Sequence, residues 1–277
     1  MEHREIFYEV ADQIATVTLN RPGKLNAWTA VMEREVRAAM EAADSDNDVR
    51  VIVLTGAGRG FCAGADMSVL SDLAAQGAGA ERAEVLRNAS GGAPREGIRH
   101  DFQKRYSYFP SLTKPVIAAI NGPAVGLGFI LTLYCDLRFA SDQARFGTAF
   151  ARRGLIAEYG MAWLLPRLIG LSGALDLLLS ARIIDSAEAL RIGLVNRVFP
   201  QDQFMDQVRD YARELAAGVS PRSMRIIKQQ IYNAQFQTLG EAFETAEEEM
   251  IESLKSEDFK EGVAHFLEKR APVFTGR

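Results

Sequence analysis

Apolar and polar residues alternate over residues 6–19, with β-branched residues frequent and Asp12-Gln13 in the middle, the pattern of two strands joined as a hairpin. Asn20-Arg21-Pro22-Gly23 ends the alternation. Apolar residues then recur at helical spacing, with Val31, Met32, Val36, Ala39 and Met40 on one stripe of residues 29–43, and Thr29 and Glu33 suited to its start. Residues 49–55 form a short β-branched run that closes on Gly56-Ala57-Gly58, as a strand buried on both faces would. The same order returns later: a strand at 115–120, a turn at Asn121-Gly122-Pro123, a helix at 125–134 and a strand at 136–140. Strand–turn–helix units are expected to continue through 155–169 and 173–179, with 183–199 extended.

Residues 77–100 are dense in Ala, Gly, Arg and Glu, include Gly91-Gly92-Ala93-Pro94 and hold no stable period, so they read as a mobile insertion. From Gln203 onward the pattern is almost wholly helical: Pro221 opens one helix, 239–254 forms another and 256–269 a third. The expected layout is a layered α/β core over residues 1–200 and a helical appendage over 201–277.

A chain of 277 residues, 48% hydrophobic and 25% charged, can bury a substantial core without a covalent staple. Its 32 Lys and Arg against 36 Asp and Glu leave a net charge of −4, which gives no broad basic field for nucleic acid or an anionic membrane. Cys62 and Cys135 lie far apart without C-x-x-C spacing, so neither a disulfide framework nor a zinc site is expected. The first residues lead into the alternating segment with no apolar leader pattern, and the longest apolar run, 124–135, is too short to span a bilayer. The expected address is the cytoplasm.

Two glycine-rich turns could carry chemistry. Phe61-Cys62-Ala63-Gly64-Ala65-Asp66-Met67 follows the strand at 49–55, and its small residues let a ligand approach the backbone. Free N–H groups where such a loop enters a helix favour negative charge; the plainer reading is a tight turn with Asp66 as a cap. Asn121-Gly122-Pro123-Ala124-Val125-Gly126-Leu127-Gly128 occupies the corresponding place after another strand, so N–H groups of the two turns could converge on one oxygen. The plainer alternative is helix packing through Gly126 and Gly128. Neither G-x-x-x-x-G-K-[ST] nor G-x-G-x-x-G is present, which argues against a nucleotide phosphate loop.

Taken in order, Asn20-Arg21-Pro22 with Asn26-Ala27, FCAGADM at 61–67, NGPAVGLG at 121–128, CDLRFA at 135–140, LLPRLIG at 164–170 and EGVAHFLEKRAPVF at 261–274 resemble the crotonase superfamily, the enoyl-CoA hydratase/isomerase family. The resemblance covers nearly the whole chain apart from residues 75–100. It implies a spiral of repeated β-β-α units followed by a C-terminal helical oligomerisation segment that builds homotrimers or hexamers. It also implies an acyl-CoA substrate whose coenzyme A is part of the substrate, with no separate cofactor and no metal. Carried over position by position, the N–H groups of Ala65 and Leu127 would hold the thioester oxygen, with Gly126 beside them. Ala63 and Asp66 would lie near the adenine, Arg21 and Lys24 near phosphates, and Phe266 and Lys269 near a neighbouring subunit's coenzyme A.

The chain departs from the hydratase pattern where that pattern sets two glutamates, one after the second glycine turn and one in F-G-x-P-E; here the positions are Ile130 and Phe150, neither able to transfer a proton. Gly154-Leu155-Ile156-Ala157-Glu158-Tyr159-Gly160 resembles the segment where isomerases of the family carry their base. Glu158 is expected to be buried among Leu155, Ile156, Tyr159 and Trp163, which would raise its pKa toward the range of a general base. A helix-start charge, or ion pairing with Arg152, Arg153 or Arg167, is the structural alternative. A single-base 3-enoyl to 2-enoyl-CoA isomerase is the favoured activity; hydration or hydrolysis with Glu158 activating water, and a non-catalytic acyl-CoA-binding subunit, stay open.

Overall fold

The computed structural model describes residues 3–68, 71, 75 and 96–277. Most of the insertion expected at 75–100 therefore lies outside the described residues. The opening alternation folds into β1 (Ile6–Ala11) and β2 (Ile14–Leu19), turned by Asp12 and Gln13, both left-handed at φ 52 and 62. The Thr29 hydroxyl accepts the N–H of Met32 at 3.0 Å and starts α1 (Ala30–Ser45), which buries Met32, Val36, Ala39, Met40 and Ala43 along the stripe its sequence marks. Glu33 lies in the first turn of this helix, as expected, and its carboxylate also accepts from Arg105, whose Nε donates to Oε1 at 2.6 Å.

β3 (Val51–Gly56) is buried at all six positions, as is each residue of β4 (Val116–Ile120). With β6 (Leu137–Ser141) and β9 (Arg197–Phe199) they complete a six-stranded sheet in the order β1-β2-β3-β4-β6-β9, antiparallel only between β1 and β2. A second sheet joins β5 (Ala124–Val125), β7 (Arg145–Gly147) and β8 (Ile183–Asp185). Two isolated bridges, Trp28 with Ala65 and Cys62 with Ala124, are parallel like the β5–β7 pairing and carry that ladder back toward the N-terminus. Successive turns of the chain thus give one long strand to the large sheet and one short rung to the small ladder, a spiral of β-β-α units.

α2 (Leu127–Tyr134) is buried on every side. The segments read as separate units at 155–169 and 173–179 fold as one element, α3 (Met161–Ser180), broken only where Gly170 adopts φ 75, ψ 161. Residues 155–160 make no strand. α3 is long and apolar enough to cross a bilayer; here Leu165, Ala174 and Leu177 bury in the main core. The stretch expected to be extended at 183–199 contains α4 (Ser186–Arg191), because the Asp185 carboxylate accepts the N–H of Glu188 at 2.8 Å and caps it.

α5 (Phe204–Gly218) corrects the layout. It does not stand apart from the core: Phe204, Val208, Ala212 and Ala216 pack on Val51, Val53, Ile117, Ala119 and Phe139 across one face of the large sheet. Without it a row of buried apolar strand residues would face water, at roughly 1.5–3 kcal/mol for each large side chain. α6 (Pro221–Ala234), α7 (Leu239–Lys255) and α8 (Glu257–Glu268) follow. α7 buries no residue and leaves Leu239, Phe243, Met250, Ile251 and Leu254 exposed.

Candidate active site

The two glycine turns meet in register. Cys62 bridges Ala124, so three residues further along each strand come Ala65 and Leu127. The residue before each is a glycine at positive φ, 98° for Gly64 and 54° for Gly126, a conformation that frees the next N–H from the ladder. Ala65 and Leu127 both line a cavity of about 380 Å³. Neither N–H has a hydrogen-bond acceptor among the described residues; Leu127 opens α2, where the first N–H groups have no helical partner. Packing allows no slack here: a β-carbon on Gly64 would lie 2.9 Å from the Val125 carbonyl oxygen and 3.6 Å from the Leu127 nitrogen.

Asn26 supports the first turn from below. Fully buried, its Nδ2 donates to the carbonyls of Ala57 and Gly60 at 2.9 and 2.8 Å, and its Oδ1 accepts the N–H of Arg21 at 2.8 Å. The Asn20-Arg21-Pro22 segment thereby fixes the loop that leads into Cys62 and Ala65. Trp28 holds the other side, donating its N–H to Gly64 and accepting that of Asp66.

Ala63, Asp66, Gly126 and Lys24 line the cavity. Arg21 does not; its guanidinium is taken up by Asp66 at 2.9 Å and by the Ala27 carbonyl at 2.6 Å. The Ser68 N–H and then Arg21 hold the Asp66 carboxyl below the usual carboxylate range. Arg153, passed over in the sequence except as a partner for Glu158, lines the cavity and gives it a second cation beside Lys24. Phe266 is 77% exposed on α8, and Lys269 ends that helix in the left-handed region at φ 53. Both lie outside this cavity.

Glu158 is half-buried, less than its apolar neighbours suggest, because Ile156 is 78% exposed and Leu155 and Tyr159 are also open. Its carboxylate has no ion-pair or hydrogen-bond partner among the described residues, the arginines included. Loss of solvent raises its pKa above the usual glutamate value. It is not part of the cavity lining; Leu155, three residues before it, is. Ile130 is fully buried in α2, and Phe150 lines the cavity. A pair of free N–H groups in a recess with two cations can accept an anionic oxygen and an anionic tail.

The enoyl-CoA hydratase/isomerase family model matches residues 9–277. The chain belongs to the enoyl-CoA hydratase/isomerase family. Its crotonase-type spiral is shared with a crystal structure of enoyl-CoA hydratase subunit I from Geobacillus kaustophilus, at TM-score 0.87, 34% identity and full coverage of both chains. Among its relatives, a Rhodobacter capsulatus protein named "Probable enoyl-CoA hydratase" is 36% identical over the whole of both chains. The 1,2-epoxyphenylacetyl-CoA isomerase of Escherichia coli is 33% identical over 98% of each. As a member of this hydratase/isomerase family the protein is an enzyme.

Proposed function

We propose that the protein is a single-base isomerase that moves the double bond of a 3-enoyl-CoA to the 2 position. The observation that carries this reading is the pair of unengaged N–H groups, Ala65 and Leu127, in one cavity. On this reading the thioester oxygen sits between them. Glu158 removes a proton from C2, the negative charge passes to the thioester oxygen, and the carboxylic acid so formed, open to exchange with solvent, delivers a proton to C4. Two donors held by backbone suit a charge that appears only during reaction, since they need no reorganisation. The raised pKa of Glu158 brings its conjugate acid closer in strength to the carbon acid it serves. Lys24 and Arg153 would neutralise coenzyme A phosphates, and the coenzyme A stays part of the substrate, with no cofactor needed.

The exposed apolar residues of α7 and α8 support assembly into a homotrimer or a dimer of trimers, within which Phe266 and Lys269 would reach a neighbouring subunit's coenzyme A. Assays of 3-enoyl-CoA, 2-enoyl-CoA and 3-oxoacyl-CoA esters in deuterated water test the chemistry. Deuterium is expected at C2 or C4 with the native enzyme and is lost in Glu158→Gln, while thioester binding persists. Undiminished exchange in that variant removes Glu158 from the reaction, and oxygen from labelled water in the product replaces isomerisation by hydration.

A further inference from the structure

A second cavity of about 380 Å³ opens just beyond the first along the chain: Leu155 lines the first, Tyr159 and Gly160 line the second, and Glu158 lies between. Trp28, which lines neither cavity, ties a residue of one wall to a residue of the other: its backbone pairs with Ala65 and its ring meets Tyr106 edge-on, centroids 6.2 Å apart. The walls of this second space are aromatic. Trp163 stacks on Phe236 at 5.5 Å with planes 12° apart; Phe102 meets Phe236 and Tyr232 edge-on, each at 5.9 Å; and Tyr106 meets Tyr159 at 4.8 Å.

The tyrosine hydroxyls of these walls are occupied. Tyr106 donates to Glu33, Tyr134 to the Tyr159 carbonyl and Tyr232 to Asp136, while Glu33 also takes the guanidinium of Arg105. Asp101, Lys104, Arg105 and Ser107 also line the cavity, and Arg167 and Arg99 lie over the Trp163 and Phe236 rings at 3.8 and 4.2 Å, so what the aromatic part of the wall offers a ligand is chiefly ring edge. The rings brace one another, so the wall cannot easily remould around a flexible chain. A β-carbon on Gly160 would lie 2.6 Å from the Tyr134 hydroxyl, which makes glycine the residue that fits there.

From these walls we propose that the second cavity receives the acyl group and selects one bearing an aromatic ring over a linear alkyl chain. The inference rests on the reading that the first cavity holds the thioester. An alkyl chain gains only from leaving water, whereas a planar ring gains in addition from edge-to-face contacts with these rings. An apolar space of about 150 Å³ is enough to hold benzene, so the observed volume takes a ring together with the carbons linking it to the thioester.

Calorimetric titration of the whole enzyme with phenylacetyl-CoA, octanoyl-CoA and coenzyme A decides it, the two esters having equal acyl carbon counts. Phenylacetyl-CoA is expected to bind about tenfold tighter than octanoyl-CoA, the upper range of one good aromatic pair. Trp163→Leu and Phe236→Leu should each bring that ratio toward one, with coenzyme A affinity and thermal unfolding reporting that the variants fold. Equal affinities in the native enzyme, or a preference that survives both substitutions, overturn the aryl assignment and leave the first cavity's role intact. If neither ester binds, both readings fall.

Discussion

A β-carbon placed on Gly128 would lie 2.1 Å from the carbonyl oxygen of Cys62, so the start of α2 rests directly on the strand that leads to Ala65. Gly128→Ala has to push the two turns apart. Overpacking of this kind costs about 1–3 kcal/mol, and a displacement near 1 Å at a reacting centre costs on the order of 100-fold in rate. Both losses are expected, read from urea unfolding and from kcat. A variant with native kcat would mean that the spacing of these turns does not matter to turnover.

The carboxylate of Glu158, without a partner among the described residues, makes two linked statements about pH. Its folded-state pKa is raised, so the folded chain holds this proton to higher pH than the unfolded chain does. The associated stability is fully present below the unfolded value and is lost as pH rises through the folded value. Glu158→Gln should therefore equal or exceed the native melting temperature at neutral pH, with the difference vanishing in acid. Catalysis runs the other way: the ionised carboxylate is the acting form, so kcat should climb with pH through the raised pKa. A rate that falls across that window contradicts the base assignment.

Lys228 is 7% exposed, and its Nζ sits 2.8 Å from Asp136 while donating to the carbonyls of Phe109 and Lys114 at 3.2 and 2.9 Å. Asp136 also accepts the Val116 N–H and the Tyr232 hydroxyl, tying α6 to the start of β4 and β6. Lys228→Met strands that carboxylate and should cost about 3–5 kcal/mol. Adding Asp136→Asn to it is expected to recover part of the loss in denaturant unfolding; strictly additive costs would show that the two do not interact.

Asn26→Ala removes three hydrogen bonds around the loop ahead of Cys62, the one to the Gly60 carbonyl buried and the other two partly so. A loss of about 1–3 kcal/mol is expected, since the Gly60 carbonyl loses its closer donor away from water. Weaker thioester binding should accompany it, measurable by titration. If stability drops but affinity is untouched, the loop supports the fold without positioning Ala65.

Local features were legible in the sequence. The hairpin, α1 with its Thr29 cap, β3, β4 and both glycine turns depend on residues near one another in the chain, where spacing and turn chemistry speak directly. The placement of α5 was not, because its amphipathic pattern says that one face is buried and not against what; only the row from Val51 to Phe139 answers that. Rungs of two or three residues such as β5 and β8 are too short to show a period. Arg105 and Glu33 are 72 positions apart, and Arg153 reaches its cavity through a turn at Gly154, so neither leaves a local trace. Glu158 stood out by the resemblance of its segment to that of the family's isomerases, and the exposure of its apolar neighbours could not be read from their chemistry.

The rung that joins Cys62 to Ala124 has an evolutionary reach as well as a geometric one. Adjacent strands keep a gap of about 4.8 Å whatever amino acids they carry, so the separation of the two amides is inherited from main-chain architecture. Side chains nearby are then free to differ without moving the two amides, and the separation of Ala65 and Leu127 does not depend on what stands at Ile130 or Phe150.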